Sequence, residues 1–183
     1  ADIETALGYY DEGIPEVSDW EIKFMVENGI DVQHFCWYTP SKDTKEPIKR
    51  PSLVSHALHD GFFYSEYSDM MQFNFMWENS GVDCSSFENF KKYIWSYWVD
   101  YYFLDDRFYT IDNKIVFTAW SYGNFKKAFG GTEEGALEAI KWMNEDAKKN
   151  GFDGVMVFFA DQHSTDPNVF ATMANMGASA SYA

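Results

Sequence analysis

Met71-Gln72-Phe73-Asn74-Phe75-Met76-Trp77-Glu78-Asn79-Ser80-Gly81 is the stretch on which the reading of this chain turns. Its first half alternates. Phe73, Phe75 and Trp77 fall on one face of an extended strand, and Gln72, Asn74, Met76 and Glu78 fall on the other. Its second half turns polar and ends in glycine, ahead of a helix start. A strand of this kind puts a carboxylate, Glu78, at its carboxyl end, which is where parallel α/β enzymes keep their chemistry. The plainer alternative is an exposed residue at a strand end. The pattern recurs three more times, which favours the functional reading.

Working outward, the amino-terminal side reads as one helix and one strand. Pro15 suits a first helical position, and Ser18 with Glu21 matches a capping box. Val17, Trp20 and Phe24 share a helical face, widened by Ile22, Met25 and Val26. Asn28-Gly29 ends that helix, with glycine in the left-handed position. Val32 to Tyr38 is then a strand ending in Trp37-Tyr38. The loop 41–51 carries Lys42, Lys45, Lys49 and Arg50, a basic cluster read as a solvated loop. Ser52 is expected to cap a helix reaching Phe62.

On the carboxyl side, Ser85 and Glu88 match a second capping box. It precedes an apolar stripe of Phe87, Phe90, Ile94, Tyr97, Trp98 and Tyr101, read as core packing. Residues 108–114 form a small hairpin turning at Asp112-Asn113. A strand at 115–120 ends in Trp120, followed by Ser121-Tyr122. Thr132 caps a helix with Glu133 and Glu134 in its first turn, and Asn150-Gly151 ends it. A strand at 155–160 runs into Asp161-Gln162-His163. Asp166-Pro167 opens a final helix, and 178–183 begins one more strand. The joints Asn28-Gly29-Ile30-Asp31 and Asn150-Gly151-Phe152-Asp153 match in kind. Alternating strands and capped helices predict βα units and a parallel sheet.

Composition narrows the function. The 183 residues are 46% hydrophobic and 20% aromatic, enough to bury a core, and length favours a single domain. Seventeen Phe, twelve Tyr and seven Trp suit either a packed core or a cleft that offers ring faces to pyranoses. A net charge of -15 argues against nucleic acid and anionic membrane surfaces. No run is long and apolar enough to span a bilayer. Cys36 and Cys84 lack metal spacing and are too few for a disulfide scaffold. His34, His56 and His59 read as structural, and no metal site is expected. No Gly-rich phosphate loop is present, so no nucleotide or redox cofactor is expected.

Several segments together resemble a known family. They are Leu7-Gly8-Tyr9-Tyr10-Asp11, Pro15-Glu16-Val17 with the helix closing on Glu27-Asn28-Gly29-Ile30-Asp31, and the strand end Trp37-Tyr38. Met76-Trp77-Glu78-Asn79, Tyr102-Phe103 with 107–120, and 177–182 extend the match over essentially the whole chain. The chain looks like a glycoside hydrolase family 99-like domain, a group of endo-α-mannosidase relatives with bacterial members often described as polysaccharide-cluster glycosyltransferases. The resemblance implies a TIM-type (β/α)₈ barrel acting on a polysaccharide or glycan at the carboxyl ends of its strands. A full barrel takes roughly 250 residues. The expectation is therefore one domain, 1–183, that is a partial barrel lacking its carboxyl-terminal strands and belonging to a longer chain. The family's later motif with a tryptophan and two glutamates is missing from this sequence.

The candidate site follows from both lines. Glu78 is the candidate catalytic residue. Trp37, Tyr38, Trp77, Asn79, Trp120, Tyr122, Asp161 and His163 are the candidate substrate-binding residues, since carboxylates handle protons or charge while aromatics shape a sugar subsite. The alternatives are a non-catalytic carbohydrate-binding or degenerate barrel, or a glycosyltransferase. The hydrolase reading implies secretion or a periplasmic location, and the transferase reading a cytoplasmic one.

Overall fold

The computed structural model describes residues 8–40, 46–49, 51–80, 86–160, 171 and 178–181. In chain order the regular elements are α1 (Pro15–Glu27), β1 (Val32–Tyr38), β2 (Gln72–Glu78), α2 (Phe87–Asn89), α3 (Ser96–Trp98), β3 (Thr110–Ile111), β4 (Lys114–Ala119), α4 (Tyr122–Ala128), α5 (Glu133–Lys149), β5 (Val155–Phe159) and β6 (Ala178–Ser181). The strands form one sheet in the order β1-β2-β4-β5-β6, with β3 folded back on β4. Every pairing along that path is parallel, and only β3 with β4 is antiparallel. The chain is thus mixed α/β with a sheet rich in parallel strands. Most of the predicted final helix, the Asp161-Gln162-His163 segment, Cys84 and most of the basic loop lie outside the described residues.

Local chemistry explains most boundaries. Thr132 caps α5 by accepting from the Gly135 backbone N–H at 3.1 Å. Both predicted helix–strand joints are the same device. The Ile30 N–H reaches back to the Met25 carbonyl at 2.9 Å, and the Phe152 N–H to the Ala147 carbonyl at 3.1 Å. Gly29 and Gly151 sit at φ 74° and 95°, so each glycine supplies the left-handed residue that this helix end requires. Asp112 and Asn113, at φ 50° and 55°, make the turn that returns β3 onto β4.

Three cap assignments are corrected. α1 begins at Pro15 with Ile14 before it, and Ser18 is buried inside the helix, so Ser18 and Glu21 form no capping box. Proline's fixed φ and missing N–H set the start instead. In the second box the cap is Ser86, one residue later than Ser85, accepting from the Asn89 N–H at 3.1 Å. Ser52 makes no side-chain cap bond, and the helix expected there is broken into short 3₁₀ and π turns between Leu53 and Tyr64. The helical run 87–103 also alternates α-turns with π-turns at Phe90–Trp95 and Val99–Phe103. Large aromatics repeat along that run, and the wider turns shift their phase on the helix surface.

The core lies between the sheet and its helices. Phe73, Phe75 and Trp77 of β2 face the helical run, as their alternation predicts. Trp77 meets Trp98 edge-on at 5.5 Å, Phe75 stacks parallel to Phe103 at 6.0 Å, and Phe117 lies 5.8 Å from Trp98. Burial of these rings supplies the main driving force, and their edge-to-face geometry adds to it.

The β2–β4 seam is only partly zipped. Its paired residues are Met76 with Thr118 and Trp77 with Ala119. Nearer the amino end of β2, Phe73 instead exchanges backbone hydrogen bonds with residues 107 and 109. Side chains close the remaining gap. Asn74 donates to the Val116 carbonyl at 2.8 Å and Thr118 to the Phe75 carbonyl at 2.6 Å. Orphaned backbone acceptors there would be costly in a buried seam.

Candidate functional site at the strand ends

Two faces of the same strands have different fates. β1 and β2 pair in register from Val32 with Gln72 to Tyr38 with Glu78. Because side chains alternate, the face turned away from the helices carries His34, Cys36 and Tyr38 beside Asn74, Met76 and Glu78. β4 extends this face with Val116 and Thr118, and Trp120 follows at its end. Met76 and Val116 are each only 7% exposed, yet both lie outside the main aromatic cluster. This face therefore has a filled floor, with polar and aromatic groups at the strand ends above it.

At that rim Tyr38 and Glu78 are adjacent across the β1–β2 pair, and both are partly exposed. The Trp120 backbone N–H donates to the Trp77 carbonyl at 2.9 Å, which holds the partly exposed Trp120 at the end of the next strand over. The Glu78 carboxylate accepts from the Ser80 N–H at 3.1 Å, so one of its oxygens shapes the turn that leaves β2. Its charge is felt by its neighbours. Burial pushes the Tyr38 phenol up from its ordinary pKa, and Cys36 and Glu78 push it further. Cys36 is likewise raised, first by burial and then by Glu78, so it is held as a thiol. At neutral pH the rim thus offers a carboxylate acceptor, a protonated phenol that donates and accepts, and an indole face.

Four of the predicted binding residues sit elsewhere. Trp37 and Trp77 are fully buried on the helix-facing side. The Trp37 indole N–H donates to the Tyr102 hydroxyl at 2.8 Å, and that of Trp77 to the Thr39 hydroxyl at 3.2 Å. Parity puts them with Phe35 and Phe75, and a ring with no free face cannot stack on a sugar. Tyr122 is buried against Phe159 at 5.5 Å. Asn79 is a clasp: it donates to the Ser121 carbonyl at 2.9 Å and accepts from the Ser121 N–H at 3.1 Å. It locks the end of β2 to the residue that caps α4, whose hydroxyl accepts from the Asn124 N–H. Asp161 and His163 lie outside the described residues.

The sequence reading missed Cys36, which the period-two pattern puts on the rim-facing side, and the Asn79–Ser121 clasp, which only tertiary pairing reveals. Among the described residues, no three of the His, Cys, Asp and Glu side chains converge as metal ligands. No helix among them is long and apolar enough to cross a membrane.

No family model matches the chain, and neither does any curated protein. Solved structures do. The glycoside hydrolase family 99 endo-α-mannosidase from Bacteroides thetaiotaomicron superposes with a TM-score of 0.59 at 16% sequence identity, over 97% of this chain and 45% of the mannosidase chain. A structure of the same enzyme in complex with bis-tris-propane gives a TM-score of 0.58 at 16% identity, over 97% of this chain and 48% of the other. The likeness shows a family 99-like fold. The chain spans less than half the length of these neighbours.

Proposed function

We propose that this chain is part of a glycoside hydrolase-like βα barrel that engages a polysaccharide or glycan at the carboxyl ends of its strands. The observation that supports this most is the grouping of Tyr38, Glu78 and Trp120 at the ends of three neighbouring parallel strands. The resemblance in sequence and the family 99-like fold lend the reading its chemical class. In it, the Trp120 ring lies against the apolar face of a sugar. The Tyr38 hydroxyl and the Glu78 carboxylate take the sugar's hydroxyls, with charge-assisted bonds to Glu78 the stronger. Turnover by this route needs a second acid–base group besides Glu78. A binding rim without turnover is the second reading, because Glu78 is the single rim carboxylate among the described residues.

One experiment separates the two. The chain is incubated with a panel of polysaccharides, with new reducing ends and binding measured in parallel. Hydrolysis that falls with Trp120→Ala supports the enzyme. Binding without new reducing ends, weakened roughly tenfold by Trp120→Ala, supports the binding rim. Absence of both binding and hydrolysis across the panel contradicts the glycan reading itself.

A further inference from the structure

A cavity of about 370 Å³ is lined by β1 from Gln33 up to Tyr38. Its walls are unequal. Val54 and Leu58 form an apolar side, and Glu12 and Glu21 an acidic one. Glu12 is held there by a close approach: any side chain at Gly61 would collide with the Glu12 carbonyl oxygen, so only glycine lets that loop lie against the helical turns.

Among the described residues the acidic wall has no counter-charge. Neither Glu12 nor Glu21 forms an ion pair with a described residue. Among the described residues the Glu21 carboxyl receives two long hydrogen bonds, from Gln33 and from Tyr10, each 3.4 Å. Its pKa is raised, first by burial and also by the facing Glu12 carboxylate, and no cation among the described residues offsets this. His34 lines the cavity too, but desolvation lowers its pKa from the ordinary value, so it is uncharged at neutral pH.

A second observation is independent of charge. Ser55 lines the same cavity and is 3% exposed, and its hydroxyl has no hydrogen-bond partner among the described residues. The Gln33 amide oxygen, also in the cavity wall, is buried and unpartnered as well. Buried polar atoms without partners are costly, and a cavity that collects two of them beside paired carboxylates is built to receive hydrogen-bond donors. Among the described residues no three metal-ligating side chains converge here, which favours an organic cation over a metal ion.

We propose that this cavity is a subsite for a protonated primary amine carried on a hydroxyl-bearing ring, a hexosamine with its amine free. The ammonium lies between Glu12 and Glu21, ring hydroxyls donate to the Gln33 amide oxygen and the Ser55 hydroxyl, and the apolar ring face rests on Val54 and Leu58. Tyr38 belongs both to this cavity and to the rim beside Glu78, so the subsite is continuous with the glycan surface. This deepens the reading above, on which it rests for the sugar class: the glycan is one that carries unacetylated amino sugars.

Titration calorimetry of the chain with glucosamine, N-acetylglucosamine and glucose at pH 7 tests it. Glucosamine is expected to bind at least roughly tenfold tighter than either neutral sugar, and more weakly as salt is raised. Glu21→Gln keeps the shape and removes the charge, and should abolish most of that preference. Ser55→Ala should weaken glucosamine several-fold while leaving the preference for the amine. Circular dichroism confirms that both variants are folded. Equal affinity for glucosamine and glucose, no glucosamine binding at millimolar concentration, or an unchanged preference in Glu21→Gln overturns the proposal. Glucosamine binding that persists while neutral oligosaccharides show no affinity sinks the rim reading and leaves the amine subsite standing.

Discussion

The two faces of β2 share a backbone and differ in everything else. The helix-facing side carries Phe73, Phe75 and Trp77, each at most 2% exposed and each in contact with several other rings. The opposite side carries Asn74, Met76 and Glu78: an amide that mends a seam, a floor residue and a rim carboxylate. Alternation along seven residues therefore splits the strand into a face packed on the helices and a face that ends in a partly exposed carboxylate. Changes on the first face should cost stability, and a change at Glu78, at the end of the second, should cost binding.

The largest effect belongs to the helix-facing side. Trp77→Ala removes a fully buried indole surrounded by Phe90, Trp98 and Phe125. Chemical denaturation should show a loss of about 3–5 kcal/mol. A loss below about 1 kcal/mol would mean that this layer is not the core.

A smaller effect lies in a buried relay on the same side. The Tyr102 hydroxyl accepts from Trp37 and lies 2.8 Å from Nε2 of His59. Burial pushes the His59 pKa down to about 4, outweighing the opposing pull of Asp60, so the ring is neutral at pH 7 and its Nε2 is free to accept from Tyr102. The unfolded chain takes up this proton near pH 6.5 and the folded chain only near 4. Stability from this site is therefore complete above pH 6.5 and is lost as pH falls toward 4, by on the order of 2 kcal/mol. Urea midpoints from pH 7 to pH 4 measure it. His59→Gln, which does not titrate, should flatten that part of the dependence, and an unchanged slope would remove His59 as its source.

Smaller again is the Asn79 clasp. Asn79→Ala removes two hydrogen bonds to the Ser121 backbone and leaves its N–H and carbonyl without those partners, at a cost of about 1–2 kcal/mol. The melting temperature should fall, and glycan affinity should fall with it only as far as α4 and Trp120 shift. A loss of affinity at full stability would return Asn79 to the binding surface.

How far the sequence carries follows the same division. The strands β1, β2, β4 and β5 were placed to within a residue, β2 by its alternation and the others as short apolar runs between helix ends and polar turns. The joints at Asn28-Gly29 and Asn150-Gly151 and the turn at Asp112-Asn113 were legible because they need residues tolerant of positive φ. The π-turns of 87–103 were not legible, since an aromatic stripe fits several helical phases equally well. At the rim, Glu78 was read from strand parity, and Tyr38 and Trp120 from their places at strand ends. Trp37 and Trp77 were counted as strand-end aromatics although alternation puts Trp77 on the face of Phe73 and Phe75, the face that is buried. Asn79 could not be told from a ligand-binding amide, because its partner Ser121 is distant in sequence and is brought near only by the β2–β4 pairing.

The comparison between the faces is sharpest at Glu78, where the expected cost in stability is smallest and the expected cost in binding largest. Glu78→Gln keeps the side chain's shape and its acceptor for the Ser80 N–H while removing the charge. The measurement is the melting temperature of this variant set beside its affinity for, or turnover of, a glycan that the unaltered protein recognises. The account predicts a melting temperature nearly unchanged and glycan affinity or turnover reduced at least roughly tenfold. A substantially lowered melting temperature with affinity and turnover intact would make Glu78 a structural residue and contradict the account.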